Sequence, residues 1–226
     1  MDDTNALTAA FEAVGKEHGY GSVSAEFAEF KEFKIKWRRS LGWIEFEASD
    51  YLKDAPENVL KGIAEMIFSR ISRRSDDKYS DAMLEWMTSD TFVKKNRPMY
   101  LKRAKNLART PRGTHKDLSD SYKRLVEMGL APYDDDLVLT WTKQPNVKRI
   151  GYCSVLMKVI AISSIFDTTS IPDFVLDFVL YHELIHLGKG FDPFDQNHDN
   201  DFRALEEMHP MRSEAEDWLK RLRLYL

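Results

Sequence analysis

Residues 181–202 read YHELIHLGKGFDPFDQNHDNDF, from Tyr181 to Phe202. His182 and His186 are four positions apart with Glu183 between them. Four residues is about one helical turn, so both imidazoles leave one helix face at a spacing that a single metal ion can bridge. Glu183 is offset by one position, beside the ion, where it can take a proton from a metal-bound water. His198 follows after a loop. Three neutral protein ligands and one open coordination position describe a catalytic rather than a closed structural metal site.

The residues upstream sharpen the pattern. IPDFVLDFVL, from Ile171 to Leu180, predicts a buried helix. Pro172 stands at its first turn, Asp173 near the positive end of its dipole, and nearly continuous apolar residues follow. Polar groups buried there without partners would cost about 1–3 kcal/mol each, and a metal removes that cost. Gly188 and Gly190 supply a helix stop and a turn.

VLYHELIHL and NHDNDFRALEEMHP together resemble the SprT-like zinc metallopeptidases. That pattern is HExxH, a loop, and a histidine opening a helix with a phenylalanine four residues later; here these are His182, Glu183, His186, His198 and Phe202. The stretch from Lys148 to Glu183 follows the same order of strand pair, proline-containing loop and active-site helix. The resemblance runs from about Trp141 to the C-terminus. It implies an α+β, zincin-like fold, with a small, mostly antiparallel sheet packed on the active-site helix and additional helices. It also implies bound Zn2+ and peptide-bond hydrolysis, with a protein or peptide as substrate. The zinc ribbon of some relatives has no counterpart, because Cys153 is the only cysteine.

Within that frame His182, His186 and His198 are the expected zinc ligands and Glu183 the expected general base, returning its proton to the leaving amine. The compact metzincin spacing would need histidine at position 192, which holds Asp192. A glutamate-ligand site would draw on Glu206 or Glu207. Asp199 or Asp201 would either orient a ligand imidazole or cap a helix. The strand around LMKVIAIS is expected to pair with an extended substrate.

Composition narrows the class. Hydrophobic residues make up 43% of 226, enough for a sizeable core. A net charge of −4 and a pI near 5.9 argue against bulk coating of nucleic acid. One cysteine precludes an internal disulfide framework and fits a reducing, cytoplasmic compartment; Cys153 reads as a packed strand residue. The N-terminal MDDTNALTAAFEAV lacks signal-peptide character, and no apolar run approaches the ~18 residues of a membrane span. One segment departs from the acidic average: from Lys94 to Lys116 the chain carries nine Lys or Arg and no Asp or Glu. It is either a solvated face or a contact for phosphates, the latter being sequence-independent and salt-sensitive. A non-proteolytic, zinc-containing protein binding nucleic acid or an acidic partner through 94–116 is the alternative function.

Apolar spacing predicts helices over 4–18, 23–31, from Pro56 to about Arg73, 80–88, 98–109, 118–128, 198–208 and from about Arg212. Strands are expected at FKIKWR, WIEFEAS, DDLVLTW, RIGYC and LMKVIAIS. Two domains are drawn, 1–130 and 131–226. Displaced by 116 positions, Ile44 meets Ile160, Phe46 meets Ile162, Pro56 meets Pro172, Val59 meets Val175, Leu60 meets Leu176 and Ile63 meets Val179. Met66 and Arg70 then stand where His182 and His186 do. Two readings are open: a duplication whose first copy, 43–71, lost its ligands, or two strand–helix units that obey the same local rules.

Overall fold

The computed structural model describes residues 3–72, 79–191 and 198–222. It is an α+β protein whose described residues form eight α-helices and two three-stranded sheets. The chain divides into two compact units, the break falling between Arg103 and Ala104 rather than after residue 130. The reason is a helix, α5 (Leu118–Glu127), whose Leu118, Tyr122 and Leu125 are buried in the core of the C-terminal unit.

The N-terminal unit runs α1 (Asp3–Glu17), β1 (Ser22–Ala28), β2 (Ile35–Ser40), β3 (Trp43–Ser49), a 3-10 turn at Asp50–Leu52, α2 (Glu57–Ile71), α3 (Asp81–Thr88) and α4 (Asp90–Arg103). β3 is central, parallel to β1 and antiparallel to β2. Two expectations fail here. Residues 23–31 do not form a helix, because Val23 and Ala25 alternate with exposed serines and bury one strand face. The helix expected to open at Pro98 instead starts at Asp90, where Ser89 Oγ accepts the Phe92 amide at 3.2 Å, and Pro98 lies inside it. The core joins α1, β3 and α2: Phe11 and Phe68 pack on Phe46 with ring centroids 4.6 and 5.3 Å away.

The C-terminal unit runs α5, β4 (Val138–Trp141), β5 (Gly151–Ser154), a 3-10 turn at Val155–Met157, β6 (Val159–Ile162), a second such turn at Ser164–Phe166, α6 (Asp173–Lys189), α7 (Asn200–Glu206) and α8 (Arg212–Leu222). β6 is central, parallel to β4 and antiparallel to β5, so the sheet is mixed rather than mostly antiparallel. All four β6 residues are buried, and α6 buries ten of its own between Val175 and Ile185. A helix apolar on every side belongs in the middle of a unit, and α6 packs against α5, β5, β6, α7 and α8. Its buried Asp177 is matched by Arg124, at 2.7 and 2.8 Å, and by the Ser121 hydroxyl. Burying that carboxylate unpaired would be costly.

The two units share one topology. β1, β2, β3 and α2 open at Ser22, Ile35, Trp43 and Glu57; β4, β5, β6 and α6 open at Val138, Gly151, Val159 and Asp173, each 116 positions on. The parallel pairs even share a register, Ser22 opposite Trp43 and Val138 opposite Val159. Pro56 and Pro172 are the respective N-caps of α2 and α6.

Candidate metal centre

α6 presents His182 and His186 one turn apart on its half-buried face. The loop that returns the chain to His198 passes through 192–197, which include Asp192 and lie outside the described residues. His198 directly precedes α7. Asp199 is the N-cap of that helix, accepting the Phe202 amide at 2.7 Å and the Lys189 ammonium at 2.6 Å. Asp199 is thereby a cap, not an orienter of an imidazole. Phe202 is fully buried, and its ring centroid lies 5.0, 4.6 and 4.5 Å from those of His182, His186 and His198. One aromatic side chain therefore backs all three imidazoles. Leu205, on the same helix, is 38% exposed.

The three histidines lie close enough to bind one metal ion, with their donor atoms all within 4.8 Å of one another. His198 Nε2 stands 3.2 Å from both His182 Nε2 and His186 Nε2. Three ring nitrogens pointing at one place fit a shared cation. Bonds of about 2.05 Å in tetrahedral array separate neighbouring nitrogens by about 3.3 Å.

Glu206 supplies what the motif left out. Its Oε1 sits 2.7 Å from His182 Nδ1. A proton on Nδ1 donated to that carboxylate leaves the Nε2 lone pair facing the other histidines, the tautomer that a ligand needs. Burial lowers the His182 pKa against the opposing pull of Glu206, which favours the neutral ring. Glu206, the alternative direct ligand, instead contacts His182 Nδ1, away from the converging Nε2 atoms, while Glu207 pairs with Arg212 at 3.1 Å. The four-residue step from Phe202 to Glu206 could have shown this, since it puts both on one face of α7. The Tyr181 hydroxyl donates to Leu205 O at 2.7 Å and ties α7 to α6.

Glu183 is buried, at 6% exposure, and faces the sheet side of α6. Burial pushes its carboxyl up to about 8, partly offset by the nearby Arg149 guanidinium. Gly151, the first residue of β5, makes room for it: a Cβ there would fall 2.6 Å from Glu183 Oε1. Arg149 stacks over the Tyr152 ring at 4.4 Å and flanks the same place. Neither Gly151 nor Arg149 stood out in the sequence, because the contact joins residues far apart in the chain. Among the described residues β5 is the strand beside α6 that is paired on one side, whereas β6, expected to receive a substrate, is paired on both. Burial also raises the Cys153 thiol, in keeping with a packed strand residue.

The basic segment is divided between the units. Lys95 pairs with Asp54, and Arg103 holds Asp50 through two bonds of 2.7 and 2.5 Å. Lys116 pairs with Asp173 at 2.9 Å. Part of its charge is thus used within each unit. No helix of the described residues is long and apolar enough to cross a membrane.

A scan against protein-family models finds no match, and searches of curated proteins and of solved structures find none either.

Proposed function

We propose that the C-terminal unit is a zinc-dependent endopeptidase of zincin-like design, similar to the SprT-like metallopeptidases. The observation that carries the reading is the convergence of three imidazole Nε2 atoms beside a buried glutamate of the same helix. His182, His186 and His198 hold the ion. When bound, zinc supplies Lewis acidity, bringing a coordinated water to a pKa of about 7 and polarising a carbonyl. Glu183 accepts the proton of the attacking water and returns it to the leaving amine. Its elevated pKa suits a group that must both take and give a proton near neutrality, and an adjacent cation would draw it down from the metal-free value. Phe202 and the buried residues of α6 keep water from one side of the histidines. The outer edge of β5 offers backbone groups that align an extended peptide. Glu206 fixes the His182 tautomer.

The test is paired. Purified protein is expected to carry about one zinc per chain and to cleave an unfolded protein substrate. Glu183→Gln, nearly isosteric but unable to act as a base, is expected to keep its zinc and lose about 10²–10⁴-fold in turnover. Undiminished hydrolysis in that variant, or a protein that takes up no zinc, refutes the reading.

A further inference from the structure

We infer that the N-terminal unit is a metal-free second copy of the same sheet-and-helix scaffold, and that its edge strand β2 takes an extended acidic peptide as an added strand.

The duplication rests on coincidences that local rules alone do not supply. The four element starts share one displacement, and α1 and α5 precede them one residue out of step. Both sheets put the third strand in the centre with the same parallel and antiparallel neighbours, and both parallel pairs share one register. Strand order and pairing are tertiary facts; a proline-opened helix after a strand does not dictate them. In the first copy Met66, Ile67 and Arg70 replace His182, Glu183 and His186, so it has no ligand set.

What the first copy retains is the strand edge. Among the described residues β2 is paired only to β3, and its place in the fold is that of β5 in the second copy. Ser40 faces Trp43 across a two-residue turn, and the Ser49 amide donates to Lys34 O at 3.0 Å. Even-numbered positions therefore bond to β3, and the backbone groups of Trp37 and Arg39 point away from the sheet. The strand carries Lys36, Arg38 and Arg39, with Lys34 just before it and no acid from Phe33 to Ser40. Trp37 is 38% exposed. The 580 Å³ depression that Lys36, Trp37 and Arg38 border lies over the sheet, where Glu26, Glu45 and Glu47 line it, and not at the outer edge of β2. The bonds Lys36 and Arg38 make to Glu47 and Glu45, at 3.8 and 3.0 Å, are exposed and readily exchanged. Like charges disfavour a second copy of β2 as occupant, whereas a strand bearing Glu or Asp satisfies both the backbone and the cations.

The inference does not depend on the peptidase reading, and its test removes cleavage. The full chain carrying Glu183→Gln is titrated, by fluorescence anisotropy, with a labelled nonapeptide alternating Glu with Thr or Val, and with its Gln and Lys counterparts. The Glu peptide is expected to bind at least about tenfold more tightly than the Gln peptide, more weakly as salt rises, and the Lys peptide not at all. Arg39→Pro, which deletes an outward N–H, is expected to lose about tenfold where Arg39→Ala loses about threefold or less. Amide exchange gives a second readout in the unsubstituted strand: the Glu peptide is expected to protect the Trp37 and Arg39 amides. Equal binding of the Glu and Gln peptides, or unprotected amides at saturation, overturns the proposal.

Discussion

Helices α2 and α6 begin alike and then diverge. Each follows a strand and a 3-10 turn, each has a proline N-cap, and the buried Val59, Leu60, Ile63, Ala64 and Phe68 of α2 match Val175, Leu176, Val179, Leu180 and Leu184 of α6. At the next turn α2 buries Met66 and Ile67, whereas α6 presents His182 and Glu183. The scaffold closes around either set. Apolar side chains there gain burial energy outright, whereas the polar set gives that up and needs partners. His182 has Glu206, and Glu183 has room opposite Gly151. The difference is a trade of packing for a cluster of polar, titratable groups in one helix of two.

The largest effect should separate the helices by kind of loss. His182→Ala, His186→Ala and His198→Ala are each expected to weaken zinc binding by about 10²-fold or more, since a site worth about 10–16 kcal/mol draws on only a few ligands. Met66→Ala in α2 should leave zinc untouched and cost about 2–5 kcal/mol of stability, as a buried side chain replaced by a void. Competition with a chelating dye and urea melts read the two quantities. Full occupancy in all three histidine variants would remove the site from the argument.

Gly151 sharpens the contrast at the strand. Its counterpart, 116 positions earlier, is Ile35, where a side chain is accommodated. Gly151→Ala sets a methyl within 2.6 Å of Glu183 Oε1 and must displace it. A shift near 1 Å is worth about 10²-fold in rate. The expectation is a fall of that order in kcat/KM with zinc retained. Unchanged kcat/KM would mean that Glu183 is not held by β5.

Much of this was legible beforehand. α6 was readable because its apolar run exceeds any strand and its polar exceptions recur at one turn. Phe202 followed from the four-residue step after His198. Residues 23–31 read as a helix because Ala25 and Glu26 suit helices; only pairing with β3 decides that Ser22–Ala28 form a strand. The centrality of β6 and the place of Glu206 depend on strand order and on how α7 meets α6, which no local pattern encodes.

Glu206 offers a smaller effect and a direct control. The carboxylate behind His182 is expected to matter by about 10–100-fold in zinc affinity when Glu206 becomes Ala. Glu207→Ala, next in the chain but turned towards Arg212, should change affinity little. Equal responses would show that the His182 contact does not orient the ligand.

The smallest expected effect lies at matched positions just after β3 and β6, where each unit ties down a distant loop by different chemistry. In the N-terminal unit the buried Tyr51 hydroxyl donates to Lys31 O at 2.8 Å. The matching residue in the C-terminal unit is Asp167, whose carboxylate accepts the amides of Thr114, His115 and Lys116 at 2.6, 2.8 and 3.0 Å. Gly113 permits this approach, since a Cβ there would meet Asp167 Oδ1 at 2.5 Å. Burial alone would raise the Asp167 pKa, but the three amide bonds outweigh it and hold the carboxyl below its ordinary 3.8. The sign follows: the folded state binds fewer protons than the unfolded one, so the contribution is complete above about pH 4 and is lost as pH falls through the lower, folded pKa. Asp167→Asn turns an amide NH₂ towards N–H donors and is expected to cost about 1–3 kcal/mol at neutral pH, the deficit shrinking in acid. Tyr51→Phe removes the bond to Lys31 O and the hydroxyl's contact with the Arg103 guanidinium, neither of which loses charge in acid, and should cost about 1–3 kcal/mol with no such acid dependence. Thermal melts of both variants at pH 7 and pH 3 read the difference. A deficit in Asp167→Asn that stays constant down to pH 3 would show that charge plays no part in holding the 113–116 loop.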